Sequence, residues 1–283
     1  MITADLVRQR VRSLPSLPTT VLALGKAVGD DRCTVDRVLG ILAQDPALSA
    51  ALLRLSNSVM YQRDGRVMDL RSAVMRLGFD AIFNLGQSAA IIRSMRGGSH
   101  LDPIRLWQHS VAVGLVAKGI CGLVGMDQHL ESAYLAGLLH DIGKIALDQC
   151  FSDEYGPVVQ AMADGAVCLE AERALLGITH AEVGTMVAQQ WNFPEPMVAA
   201  IRDHHEAGGD FLASLIQLAD LLVRTRIPNS PADENLAFVL GEQASFRTVF
   251  EGAAADLDEE RLTFGIDDEL EHAITFVKLV FQE

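Results

Sequence analysis

At 283 residues the chain is longer than the roughly 100–200 residues of one compact domain, and its 49% apolar content is enough to bury a core without disulfides. Asp and Glu outnumber Lys and Arg by 37 to 23, and the resulting charge of −14 repels phosphate backbones, so direct nucleic-acid binding is not expected. No run of ~20 uninterrupted apolar residues exists to span a membrane; the longest apolar stretch, residues 110–126, is broken by Lys118.

The start, MITADLVRQRVR, carries charge where a signal peptide needs an apolar stretch, and Arg8, Arg10 and Arg12 read as the solvated face of a short helix. Cys33, Cys121, Cys150 and Cys168 show no CxxC spacing, which suits reduced thiols and a cytoplasmic location. Pro15 and Pro18 form a stiff approach to a first long helix. Helical spacing follows over 34–44, 47–57, 69–77 and 79–95, with breaks at DP, RDGR and LGFD. Asp45 is a natural N-cap with Pro46 at the first helical position, and Asn57 and Ser58 can bond nearby backbone and end a helix. The loop from Arg96 to His100, with Gly97 and Gly98, reads as a boundary.

Beyond that loop the chain is again helical, with Trp107 and Trp191 as packing residues. A second, proline-bearing loop lies at 228–236. A final helix opened by Asp267 carries the apolar stripe Leu270, Ile274, Val277 and Phe281. No run shows sustained strand alternation, so the expected class is all-α. The expected division is an N-terminal helical part over 1–98, a histidine-bearing subdomain over 99–227 and a C-terminal helical cap over 228–283.

Five of the eight histidines, with two aspartates, form a candidate metal set: His109, His140, Asp141, His180, His204, His205 and Asp220. His140 and Asp141 end the apolar helix YLAGLLHD. Neighbours on a helix point roughly 100° apart, so both can face one ion only at a helix end, where Gly143 would supply flexibility. Thr179 and Glu182 have capping-box spacing and put His180 at the start of a helix, with Gly184 one turn on leaving that face open. His204 and His205 close another helix, begun near Pro194 and ended by Gly208 and Gly209. His109 and Asp220 sit in apolar runs, where an unpartnered polar group is costly. Each alone reads as a satisfied core polar group; together they suit divalent Fe, Mn, Zn or Co held by imidazole and carboxylate, without thiolate. His100, His129 and His272 lie in polar contexts and read as surface groups, as does Glu206.

The ordered N-terminal motifs, LPSLP, QDPAL, LSNS and residues 73–78, resemble the HDOD family of bacterial signalling proteins over about residues 7–205. The second half resembles the wider HD superfamily of metal-dependent phosphohydrolases. That resemblance implies an HD-like helical bundle and two ions, with iron or manganese favoured. His109, His140, Asp141 and Asp220 would hold one ion, and Asp141, His180, His204 and His205 the other. A pair of ions ~3.5–4 Å apart can activate a hydroxide for phosphoryl displacement. Asp141 and Lys144 would then be the catalytic candidates, with Lys144 meeting a phosphate oxygen. Two departures weaken the cyclic-dinucleotide branch: no Gly-Tyr-Pro follows HHE, and Arg105 stands where a glutamate would hold a third ion. Two readings follow: a regulatory output protein with a signalling partner on its N-terminal helices and a nucleotide or phosphate ligand, or a metal-dependent phosphohydrolase or phosphodiesterase acting on a nucleotide or cyclic nucleotide.

Overall fold

A computed structural model describes residues 2–58, 66–206, 210–227, 239–251 and 259–281, the side chains of 259–264 excepted. Every regular element among them is helical, and no strand occurs among the described residues. The loop at 228–236 and the Gly208–Gly209 helix stop lie outside the described residues. Contacts group the chain into two compact units rather than three: 1–14 with 96–273, and 15–95 with 274–283. The first helix, α1 (Ala4–Val11), therefore belongs with the histidine-bearing unit and not with the residues that follow it. Its Val7 and Val11 are buried, and Arg10 stacks 4.7 Å above the Phe151 ring.

The 15–95 unit contains α2 (Thr19–Val28), α3 (Val35–Leu42), α4 (Pro46–Ser56), α5 (Leu70–Leu77) and α6 (Phe79–Ser94). Its helix boundaries follow from capping chemistry. Asp45 accepts from the Leu48 amide at 2.9 Å with Pro46 opening α4, and Asp69 accepts from the Ser72 amide at 2.8 Å to open α5. The Asn57 side chain ends α4 by donating to Leu53 O and Val67 O and accepting from the Val67 amide at 2.7 Å. Gly78, at φ +83°, turns the chain between α5 and α6. Leu24, Leu48, Leu52, Leu55 and Ile82 fill the interior where α2 and α4 pack on α6.

The larger unit is built from α7 (Pro103–Leu123), α8 (Leu130–Leu139), α9 (Ile142–Cys150), α10 (Ser152–Ala163), α11 (Cys168–Leu175), α12 (His180–Gln190), α13 (Glu195–Asp203), α14 (Phe211–Arg224) and α15 (Ala244–Phe250). The last helix, α16 (Glu259–Phe281), begins upstream of the expected Asp267, which is an exposed residue inside it. Its buried residues are Ile266, Leu270, Ala273, Phe276, Val277 and Val280, with Ile274 and Phe281 only half-buried. The period was right and the phase drifted, because Ala273 and Val280 occupy the inner face in their place.

Two close helix approaches bring the polar residues within reach of one another. A Cβ on Gly137 of α8 would sit 2.6 Å from the backbone of Gly114 on α7. A Cβ on Gly143 of α9 would strike His180 O and lie 2.7 Å from the Gly184 amide of α12. Gly143 is therefore a packing residue rather than the expected source of flexibility: it lets α9 lie directly on the start of α12.

The Arg96–His100 loop is pinned from below. Asp148 of α9 is fully buried and accepts from the backbone amides of Gly98 at 3.1 Å, His100 at 3.2 Å and Leu101 at 3.0 Å. Asp148→Ala removes the acceptor for three amides, and we expect a loss of about 1–3 kcal/mol in denaturant melts. An unchanged melting curve would show that the loop holds itself without this carboxylate.

Candidate metal centre

All seven sequence candidates come together in the larger unit, each delivered by a helix end or a helix face. His140 is the C-cap of α8 and Asp141 the N-cap of α9, so the chain turns between them and both side chains face inward. His204 holds the same C-cap position on α13. In each case the ring reaches back to the carbonyl three residues earlier: His140 Nδ1 donates to Gly137 O at 2.7 Å and His204 Nδ1 to Ile201 O at 2.7 Å. A carbonyl only accepts, so Nδ1 carries a proton, and in the neutral ring Nε2 presents a lone pair. His180 opens α12 behind the capping box of Thr179 and Glu182. His109 projects from the middle of α7 and Asp220 from α14.

The ring nitrogens surround the two oxygens of Asp141. Its Oδ1 lies 3.3 Å from His180 Nε2 and 3.9 Å from His204 Nε2. Its Oδ2 lies 3.4 Å from His140 Nε2, 4.0 Å from His109 Nε2 and 2.7 Å from Lys144 Nζ. Asp220 Oδ1 is 3.0 Å from His109 Nε2, poorly aligned for a hydrogen bond, and 3.8 Å from His140 Nε2. Two donor groups result, Asp141 with His180, His204 and His205, and His109 with His140 and Asp220; within each, the donor atoms lie within 4.8 Å of one another. His205 Nε2 is 2.9 Å from His180 Nε2.

Several of these atoms are buried with no hydrogen-bond partner: Nε2 of His140 and His204, Oδ1 of Asp141, and both ring nitrogens of His109. Each such orphan costs about 1–3 kcal/mol unless something accepts its lone pair. Imidazole nitrogens and carboxylate oxygens gathered within 4.8 Å of one another in each group fit a first-row divalent cation, so the residues present suit the metal that the sequence implied.

Charge balance follows the same geometry. Burial alone would raise Asp141, but His140, Lys144 and His180 hold its carboxyl well below the usual range. Burial opposes the charge on Asp220 too, and His109 and Arg224 overcome it, keeping Asp220 ionised. Burial and the neighbouring imidazoles push His204 well down, and burial with His180 brings His205 to about 3. His180 runs the other way: burial opposes its charge, but the Glu172 carboxylate raises it to about 10.

Glu172 escaped sequence reading. It is fully buried, and its Oε2 accepts from the His180 backbone amide at 2.8 Å and from His180 Nδ1 at 2.7 Å. Its Oε1 faces Tyr155 Oη at 3.2 Å and Cys168 Sγ at 3.5 Å. The available signal was its place beside Ala171, on the buried side of the short helix α11. Cys168, outside the expected imidazole and carboxylate set, has its Sγ 3.9 Å from His180 Nδ1. Lys144 is 8% exposed; its ammonium donates to Asp141 at 2.7 Å, and it lines a cavity of about 230 Å³ together with His100, Arg105 and Met162. His109, His140, His180 and His204 are sealed from solvent. His205 is half-buried and lines a second cavity, about 840 Å³, with Arg173, Arg202 and Glu206.

The HDOD domain model matches residues 14–207. The chain belongs to the HDOD family. An HDOD domain protein of unknown function from Geobacter sulfurreducens superposes with a TM-score of 0.81 at 25% identity, covering 99% of this chain and all of that one. A Shewanella amazonensis protein assigned provisionally to the phosphohydrolases gives 0.75 at 25% identity, covering 97% and 98%. An uncharacterized protein of Treponema pallidum is 25% identical over 234 residues, 81% of this chain but 45% of its own length. The HDOD chain described here thus spans less than half of that relative.

The charge pattern is directly testable in metal-free protein. With an ordinary value of 6.5 and a folded value of about 10, His180 contributes stability fully present below 6.5 and lost as pH rises through about 10. At pH 7, imidazole ¹⁵N shifts should show His180 carrying both ring protons and His205 carrying one. A neutral His180 at pH 7 would refute the charged pair with Glu172.

Proposed function

We propose that this HDOD protein is a bacterial signal-transduction module whose buried centre holds two divalent ions as a structural or sensory element. The observation that carries the reading is the set of orphaned lone pairs on His140, His204 and Asp141, sealed from water and aimed at one another. His109, His140 and Asp220 would hold one ion and His180, His204 and His205 the other, with each oxygen of Asp141 turned toward one group. Iron or manganese is favoured through the family resemblance, and the nitrogen and oxygen donors also suit zinc or cobalt. A protein partner would engage the 15–95 unit, where Met68 and Met75 stand 76% and 69% exposed and offer adaptable apolar contacts. The absence, among the described residues, of a helix long and apolar enough to cross a membrane accords with this role.

A second reading, a phosphohydrolase acting on a nucleotide or other phosphate ester, is favoured by the placement of Asp141 between both donor groups with Lys144 beside it. Bound metal would supply Lewis-acid activation of water and phosphoryl oxygen. Asp141 would orient both groups, and Lys144 would add a fixed positive charge toward an anionic ligand in its cavity. The burial of the imidazoles favours the regulatory reading, because among the described residues His140 and His204 are enclosed and offer a substrate almost no exposed surface.

Elemental analysis of protein loaded with Mn²⁺ or Fe²⁺ should find two equivalents and a raised melting temperature. Saturation at 100–1,000 times Kd stabilises by about 2.7–4.1 kcal/mol. Asp141→Asn and Asp220→Asn should each lose metal, and wild-type protein should leave bis(p-nitrophenyl) phosphate intact. Turnover of that ester that disappears in Asp141→Asn would establish the enzyme reading instead. Failure of the wild-type chain to take up any divalent ion would end both.

A further inference from the structure

Three imidazoles of the centre have their Nδ1 anchored, and they are not anchored alike. His140 and His204 each use the neutral carbonyl three residues back on their own helix. Those bonds form wherever the helix end forms, and they need nothing from elsewhere in the chain. His180 sits at a helix start, where the preceding turn offers no such carbonyl. It is held instead by a carboxylate from another helix, Glu172 of α11.

That carboxylate is held from several sides. Oε2 accepts both the backbone amide and Nδ1 of His180, which ties the ring to its own main chain through one oxygen. Oε1 is contacted by the buried Tyr155 hydroxyl and the Cys168 thiol. The opposite ring nitrogen of His180 then points at Asp141 Oδ1, 3.3 Å away, and at His205 Nε2, 2.9 Å away. The route runs from Tyr155 through Glu172 and His180 to the donor group of Asp141, His204 and His205. The group of His109, His140 and Asp220 has no carboxylate behind its rings among the contacts described.

We propose that Glu172 is the positioning residue of the centre: it orients His180 toward the metal and strengthens it as a donor, with Tyr155 fixing the carboxylate in turn. The inference rests on the metal-binding reading above and concerns the His180 side of the site alone. A carboxylate behind a ligating imidazole raises the ring's basicity and fixes its tautomer, and removal of such a partner lowers metal affinity by roughly 10–100-fold. The two donor groups should therefore differ: the site at His180 depends on a distant helix, and the site at His140 does not.

The test compares wild type with Glu172→Gln, which keeps the shape and one acceptor but removes the charge. Co²⁺ titration is followed by visible absorption and by elemental analysis, and the melting temperature of each metal-free protein is measured alongside. We expect Glu172→Gln to weaken one of two bound equivalents by roughly 10–100-fold and to shift its ligand-field bands, with the other equivalent unchanged. Tyr155→Phe should shift the same bands by a smaller amount. Wild-type affinity and an unaltered spectrum in Glu172→Gln overturn the proposal, as does a fall in affinity that tracks lost metal-free stability with no spectral change. Cys168→Ser should keep both equivalents; loss of one would mean that Cys168, Glu172 and His180 hold an ion themselves, which also overturns it. A wild-type chain that binds no Co²⁺ at all defeats the metal reading itself, a result distinct from any of these.

Discussion

The arrangement of the larger unit is governed by one electrostatic problem, the burial of Asp141. A carboxylate that is 2% exposed and well below its usual pKa needs positive charge close on every side. Lys144, one turn along α9, answers one oxygen, and imidazoles from α7, α8, α12 and α13 surround the rest. Four separate helices can reach that point only if they approach closely, which is what the glycines at 114, 137 and 143 permit. Packing and chemistry therefore constrain one another. A methyl group at Gly143 would displace the start of α12 and, with it, His180.

The balance of protonation around Asp141 is uneven. His180 is drawn toward the charged form by Glu172, while His204 and His205 are driven neutral by burial and by their neighbours. Neutral imidazoles with an open Nε2 are ready donors, whereas a charged one must lose a proton before it can coordinate. Cation uptake at this centre would therefore be coupled to loss of a proton from His180.

Much of this was readable from local chemistry. Asp45 before Pro46, Asn57 bonding back to Leu53 at the end of α4, Thr179 with Glu182, and the histidine–aspartate pair at 140–141 all act within one helical turn, where spacing alone specifies geometry. The candidate donors were recognisable because polar residues stood in apolar runs. What stayed hidden acts across long separations. Asp148 binds amides some fifty residues earlier in the chain, and Glu172 meets His180 across a turn that no periodicity predicts. The membership of α1 in the larger unit was equally hidden, since its valines are apolar in any context and only contacts reveal what they cover. The final helix shows the remaining difficulty: a stripe identified from four large side chains passed over Ala273, Phe276 and Val280, which are buried on the same helix.

The half-buried state of His205 bears on kinetics as well as affinity. Its neighbours in the donor set are enclosed, so ions would enter or leave past this ring or through a transient parting of α12 and α13. Exchange governed by such openings is slow even where binding is only moderately tight. Occupancy would then reflect the cations present when the chain folded more than those surrounding it afterwards.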